Sequence, residues 1–333
     1  MSQQTPTKPI AVAEPSTGEA AAPIGPPRGV TRPAGRGVAR LLRWPFQHER
    51  HVRLILMLLA CVAVGALAVI TGYIFKEGLP IMLNTGVGKF LFSSDWYPLE
   101  KPPSFGIFAM IVGSLAVTGG AMVIGVSFGL GCAILLTQFC PPRMVTVLKP
   151  AVELLAGIPS VVYGAIGMVV LVPLIRTYLG GPGLSVLAAS IVLGIMVLPT
   201  MTSISIDALR AVPRAYHDGS IALGATGWQT THMVMLKAAR SGIVSAAILS
   251  MGRAVGETMA VIMVAGNSPD LPNSILAPVR TLTSNIALEM GYSQGEHKQA
   301  LFATGVTLFM MIMVLNILAL RLSGQRRRKG GAA

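Results

Sequence analysis

The chain has 333 residues, 53% of them hydrophobic and only 12% charged. A soluble domain carries about 25% charged residues, so this composition excludes an ordinary soluble protein and points to one built for lipid. The net charge of +13 is no nucleic-acid footprint, because Lys and Arg come in alternating clusters. They gather before residue 54, at 143–149, at 210–240 and after 320, and are sparse at 76–105, at 176 and at 266–298.

That alternation follows the positive-inside rule. It places both termini in the cytoplasm and requires an even number of spans. A spanning helix needs about 20 apolar residues to cross about 30 Å of hydrocarbon, and the uncharged stretches are read on that scale.

Residues 1–50 are rich in Pro, Ala, Gly, Thr and Ser and read as a disordered basic cytoplasmic tail. Its end, "RGVARLLRWPFQHERHVR" (36–53), mixes Arg with Leu, Trp and Phe, which suits a topology anchor or a segment lying on anionic lipid. Residues 51–104 hold the first span, 54–75, and an outside loop. The span is long enough to cross and no cleavage site follows it, so a signal peptide is not expected. Trp96 and Tyr97 in the loop read as interface anchors by default, with docking surface as the alternative.

The core is expected over 105–322. The stretch 102–142 is long for one upright helix, but two helices there would put "RRRK" (326–329) outside; parity selects one long helix, about 105–138, tilted or extended. The third span, about 152–173, opens on "ELLAGIPSVVYG" (153–164). Pro159 denies it one hydrogen bond and should kink it, and Gly157 and Gly164 allow close helix approach. The fourth span is about 184–205. Residues 207–241 form the longest inside loop, with Ala, Leu, Ile and Met at helical intervals and Gly224 and Gly227 as punctuation. Two short helices around a Gly turn are expected, serving as a docking element for a cytoplasmic partner. The fifth span is about 242–265, the sixth about 299–320, and 323–333 is a basic cytoplasmic tail. The fold class is an all-α integral membrane protein of six transmembrane helices.

Catalytic machinery is not expected. GxxxxGK[ST], HExxH and GxSxG are all missing, and no Cys/His cluster suggests a metal. No cofactor is expected, and any ATP hydrolysis belongs to another chain. Cys61, Cys132 and Cys140 read as ordinary buried thiols. The histidines, His297 among them, fall outside the spans and read as solvated.

That leaves Arg253 and Glu257 inside the apolar fifth span, four residues and one helical turn apart, hence on one face. An ionised residue at mid-membrane costs about 2.5–3.5 kcal/mol on insertion scales. An i,i+4 pair returns only about 0.2–0.5 kcal/mol in water, and Arg before Glu is the weaker order. Two readings stand: a structural ion pair locking helices, or a polar face lining a solute path. On such a path Arg253 grips an anion, and Glu257 keeps the grip loose enough to release it.

The inside loop carries a resemblance. Permeases of binding-protein-dependent ABC importers have a loop of the form E-A-A-x3-G-x9-I-x-L-P. Asp218, Gly219 and Ser220 stand at its first three places, Gly224 at the glycine, Val234 at the isoleucine, Leu236 at the leucine and Lys237 at the proline. With "ELLAGIPSVVYG" (153–164), "IALGATGWQT" (221–230) and "RAVGETMAVIMVAGN" (253–267), the chain resembles, over about residues 50–322, the PstC-type permease of the phosphate-specific ABC importer.

The resemblance implies the type I importer transmembrane fold in the cytoplasmic membrane and a transport path carrying Arg253, Glu257 and the adjacent Thr258. It implies as partners a PstA-like second permease, a PstB-like ATPase dimer and an extracytoplasmic phosphate-binding protein. Membrane lipid surrounds the assembly, and nucleic acid has no part in it. The alternatives are a permease for another oxyanion, such as sulfate or molybdate, and a non-conducting membrane scaffold or sensor subunit.

Overall fold

A computed structural model describes residues 49–329, with side chains over 52–321. The expected tail over 1–48 and the last four residues lie outside the described residues. The described residues up to Val62 and those from Ala63 onward fall into separate units. In the first, the described side chains belong to the opening of the first helix and are exposed.

Helix α1 spans Glu49–Thr85 and a short α2 spans Val87–Phe92. A small antiparallel hairpin follows, β1 (Trp96–Tyr97) with β2 (Ser104–Phe105), in the register Trp96 to Phe105. Helix α3 spans Phe108–Ile134 and loosens into one π turn over Leu135–Phe139, where the Cys140 N–H donates to the Leu135 carbonyl at 2.9 Å. The stretch 102–142 therefore holds one long helix, as parity required.

Helix α4 spans Pro142–Ala156, α5 Ser160–Tyr178 and α6 Val186–Arg210. Two short helices, α7 (Arg214–Ala222) and α8 (Gly227–Ala238), flank a turn in which Gly224 has φ +85°. Helix α9 spans Arg240–Gly256, α10 Met259–Val264, α11 Leu282–Glu289 and α12 Gly295–Lys329. Among the described residues, α1, α3, α5, α6 and α12 are each long and apolar enough to cross a membrane. Helix α9 qualifies together with α8, bent 70° from it, which makes a sixth.

The centre of the bundle is α3 against α6. Helix α3 buries Ala109, Gly113, Val117, Ala121, Gly125, Gly129 and Ala133, a stripe of small residues at four-residue spacing. In lipid the hydrophobic effect does not drive helices together, so close backbone approach and interhelical hydrogen bonds must do it. Both are present. Ser190 Oγ donates to the Val117 carbonyl at 3.3 Å, and Thr202 Oγ1 to the Gly129 carbonyl at 3.2 Å.

The third span differs from its expectation. Pro159 does not kink a helix. It stands just before α5 in extended backbone (φ −58°, ψ 140°), and Gly157–Pro159 is a break between α4 and α5. The residue before a proline disfavours helix, so Ile158 cannot continue α4, and the span shifts to Ser160–Tyr178. Gly164 makes its expected close approach: a Cβ there would lie 3.0 Å from Ala260 Cα and 2.8 Å from Met263 Sδ. Gly157 makes no helix contact, since its nearest neighbour is the carbonyl of Leu154 in its own turn. Trp96 also departs from its expected place. It is buried, 5% exposed, rather than anchored at an interface.

Candidate functional site

The fifth span is broken where its two charges stand. Helix α9 ends at Gly256, Glu257 adopts extended backbone (φ −70°, ψ 131°), and α10 restarts after Thr258. Arg253 and Glu257 therefore do not share a helical face, and no salt bridge joins them. The i,i+4 ion pair is corrected: its spacing rule holds only along an unbroken helix.

Each charge is instead stabilised by a helix end. Arg253 lies in the last turn of α9, where unpaired carbonyls leave partial negative charge. Its Nη1 donates to Thr200 Oγ1 of α6 at 2.7 Å. Glu257 lies just before α10, and its Oε1 accepts from the Ala260 N–H at 3.2 Å, one of the orphan donors of that first turn. Thr283 at the start of α11 donates through Oγ1 to the Glu257 carbonyl at 3.0 Å, and Thr258 Oγ1 donates to the Gly256 carbonyl at 3.3 Å. The break thus leaves few orphan groups, as irregular backbone at membrane depth requires.

Arg253 is exposed, while Glu257 and Thr258 are half-buried. Arg253 lies thirteen residues along α9 from Arg240, about 20 Å at 1.5 Å per residue. An ionised side chain in a spanning helix usually faces the bundle interior, a water-filled cavity or another protein surface rather than lipid. The Tyr163 hydroxyl of α5 donates to the Leu155 carbonyl at 2.7 Å, closing the α4–α5 break. Sequence reasoning did not single out Thr200, Tyr163 or Thr283. Thr200 follows Pro199 inside α6, a proline within a helix that could have drawn attention to it.

The loop residues gather at the other end of α9. Ser220 of α7 and Thr230 of α8 share a hydroxyl hydrogen bond of 3.0 Å, tying the two helices across the Gly224 turn. Thr226 and Gln229 form a capping box at the start of α8. Asp218 pairs with His217 at 3.2 Å in solvent, Gly219 is open, and Val234 and Leu236 are half-buried, Leu236 packing against the apolar cluster that holds Ile206, Leu209 and Met235. Helix α7 buries no residue, and Tyr216, Ile221, Leu223 and Trp228 present large apolar surface, with Leu223 91% exposed. Beneath lies a cavity of about 680 Å³ whose lining includes Gln138, Arg210, Arg214 and His217.

A second polar cluster, unforeseen in the sequence, occupies the opposite end of the bundle. Glu289 Oε1 accepts from Arg280 Nη1 at 2.6 Å, and its Oε2 meets Trp96 Nε1 at 2.9 Å and His297 Nε2 at 2.8 Å. Glu289 is 7% exposed and His297 6%, so His297 is a buried partner of a carboxylate rather than a solvated histidine. Burial pushes the neighbouring Tyr292 phenol up, the Glu289 charge adds to this, and Arg280 opposes it.

Comparisons with known proteins place this architecture. The family described as binding-protein-dependent transport system inner membrane component matches residues 125–329. The chain is 41% identical over 280 residues to a probable ABC transporter permease protein, YqgH, of Bacillus subtilis, covering 83% of this chain and 91% of that one. It is 35% identical over 258 residues to the phosphate transport system permease protein PstC of Mesorhizobium japonicum, covering 71% and 78%. It is 34% identical over 272 residues to a probable PstC of Methanocaldococcus jannaschii, covering 75% and 86%.

Two solved structures share the fold. One is a bacterial alginate ABC transporter (TM-score 0.60, 16% identity, 84% of this chain and 97% of that one). The other is the MetNI methionine ABC transporter in an inward-facing conformation (TM-score 0.53, 21% identity, 66% and 95%). With a broken, charge-bearing span and the family match over well over half its length, the chain belongs to the binding-protein-dependent transport system inner membrane components, as a multi-pass permease of the type I ABC importer fold.

Proposed function

We propose that this chain is one of two permease subunits of an ATP-driven importer of inorganic phosphate, with Arg253, Glu257 and Thr258 on its translocation path. The observation that carries the reading is an exposed guanidinium deep in a spanning segment, held by one threonine hydroxyl and free to bind an anion. Broken helices whose ends face a central site are a recurrent way to build transport sites in membranes. Phosphate near neutral pH keeps at least one proton and can donate it to Glu257, whereas sulfate cannot. The relatives named as phosphate permeases support the same substrate.

The chain has no nucleotide-binding motif, so the motor is a separate ATPase dimer of the PstB type. It docks on α7 and α8, whose exposed Tyr216, Leu223 and Trp228 supply the apolar contact. Asp218, Gly219, Ser220, Gly224, Val234 and Leu236 form that coupling element. The loop joins α6 directly to α9, and those two helices carry Thr200 and Arg253. A push on α7 and α8 thus moves both ends of one hydrogen bond in the path. The basic loops and both termini face the cytoplasm. A PstA-like permease completes the path, and an extracytoplasmic phosphate-binding protein delivers the substrate at the hairpin end.

Arg253→Gln, reconstituted with the partner subunits in proteoliposomes, is expected to lower labelled-phosphate uptake at least about tenfold, since a charge-assisted contact is worth roughly 1.5–3 kcal/mol. Assembly of the complex should be unchanged. Loss of assembly, or normal uptake, sinks the assignment of Arg253 to the path.

A further inference from the structure

The buried cluster around Glu289 ties together segments that are distant in sequence. Trp96 comes from β1, Arg280 from the segment before α11, Glu289 from α11 and His297 from the start of α12. The Glu289 carboxylate takes a hydrogen bond from each of the three, and the Arg280 guanidinium compensates its charge in a buried site.

Both ends of α10 hang from this cluster. At its exit, Arg280 Nε donates to the carbonyl of Asn267 at 2.9 Å, and Asn267 sits at φ +54° in the turn that ends the span. At its entry, Thr283 of α11 holds the Glu257 carbonyl. Arg280 Nη1 also reaches Asn285 Oδ1 at 3.1 Å, fixing α11 to the same guanidinium. On the other side, Trp96 is the inward face of a hairpin whose outward residues, Tyr97 and Leu99, are 49% and 77% exposed. His297 lines a surface cavity of about 430 Å³ together with Leu99, Tyr292 and Glu296. The cluster therefore lies directly beneath the hairpin-end surface, and helix α11, which carries Glu289, also carries the Thr283 hydroxyl that holds the Glu257 carbonyl.

We infer that Glu289, with Trp96 and His297, is a positioning residue: it links the outer hairpin to the Glu257 break, so that a protein landing on the hairpin end is felt at the translocation path. The inference rests on the importer reading above and adds to it the residues that carry the signal. Glu289 touches no substrate. It acts by holding α10 and α11 in a fixed relation to the hairpin.

The test is ATP hydrolysis by the full reconstituted complex, titrated with phosphate-loaded binding protein. Trp96→Phe keeps an aromatic ring against Phe105 and removes the N–H donor to Glu289. His297→Ala removes the second donor, and His297→Gln restores one. Trp96→Phe and His297→Ala are expected to lower the maximal stimulated rate about fivefold or more, the usual lower bound of a coupling between sites. The binding-protein concentration for half-maximal stimulation, the basal rate and assembly should stay the same, and His297→Gln should recover most of the loss. A merely structural cluster would lower the basal rate and assembly instead, and that result overturns the inference. So does full stimulation of Trp96→Phe and His297→Ala. Failure of the wild-type complex to respond at all would mean that the importer reading has failed, and this inference with it.

Discussion

Arg253 and Glu257 show how an apolar span can carry two charges. Neither compensates the other; the end of α9 and the start of α10 each stabilise one, with Thr200 and the Ala260 N–H completing the contacts. The residue types were legible in the sequence, because ionised side chains inside an uncharged run are costly. Their geometry was not. Gly256 is a weak helix breaker, and nothing else in "RAVGETM" forbids a continuous helix. At this scale the account predicts that Thr200→Val lowers phosphate uptake about three- to tenfold. That range corresponds to roughly 0.5–1.5 kcal/mol for a hydrogen bond at a site open to water. Thr200→Ser should remain near wild type. Initial uptake rates in proteoliposomes check this, and equal rates for all three proteins would remove Thr200 from the site.

At the scale of elements, small residues and turn glycines decide which helices can meet. Gly164 lets α5 rest on α10, and a side chain there meets the backbone of Ala260, which cannot move aside. Gly164→Val should cost about 1–3 kcal/mol by overpacking and lower the thermal unfolding midpoint of the complex. An unchanged midpoint would contradict the packing described. Gly224 at φ +85° fixes the angle between α7 and α8, and left-handed backbone costs an L-residue about 1–2 kcal/mol. Gly224→Ala is expected to raise the ATP hydrolysed per phosphate transported, measured by parallel hydrolysis and uptake, because the coupling element is held less firmly. The two-helix loop was legible because Gly224 interrupts a helical pattern. The third span departs from its expected bounds because Gly157 and Pro159 together end one helix and begin another, where a proline alone would kink a single helix. The Glu289 cluster was not legible, since its members lie up to 201 residues apart in sequence and only the fold brings them together.

At the scale of the whole molecule, polar groups concentrate at three levels: the exposed coupling helices at one end, the broken span within, and the buried Glu289 cluster at the other end. Helix α9 joins the first two, and α10 with α11 joins the second to the third. On the proposed reading, this arrangement gives an importer a delivery face and a motor face, both tied to one anion site. The membrane class and the long second helix followed from hydropathy and charge alternation alone, which are whole-chain properties and robust to local errors of register. The measurement that tests the central claim most directly is ATP hydrolysis by the reconstituted complex, with the binding protein loaded first with phosphate and then with sulfate. The account predicts stimulation by the phosphate-loaded form, little by the sulfate-loaded form, and loss of the response in Arg253→Gln and Glu257→Gln. Equal stimulation by both forms, or a full response in both variants, would contradict it.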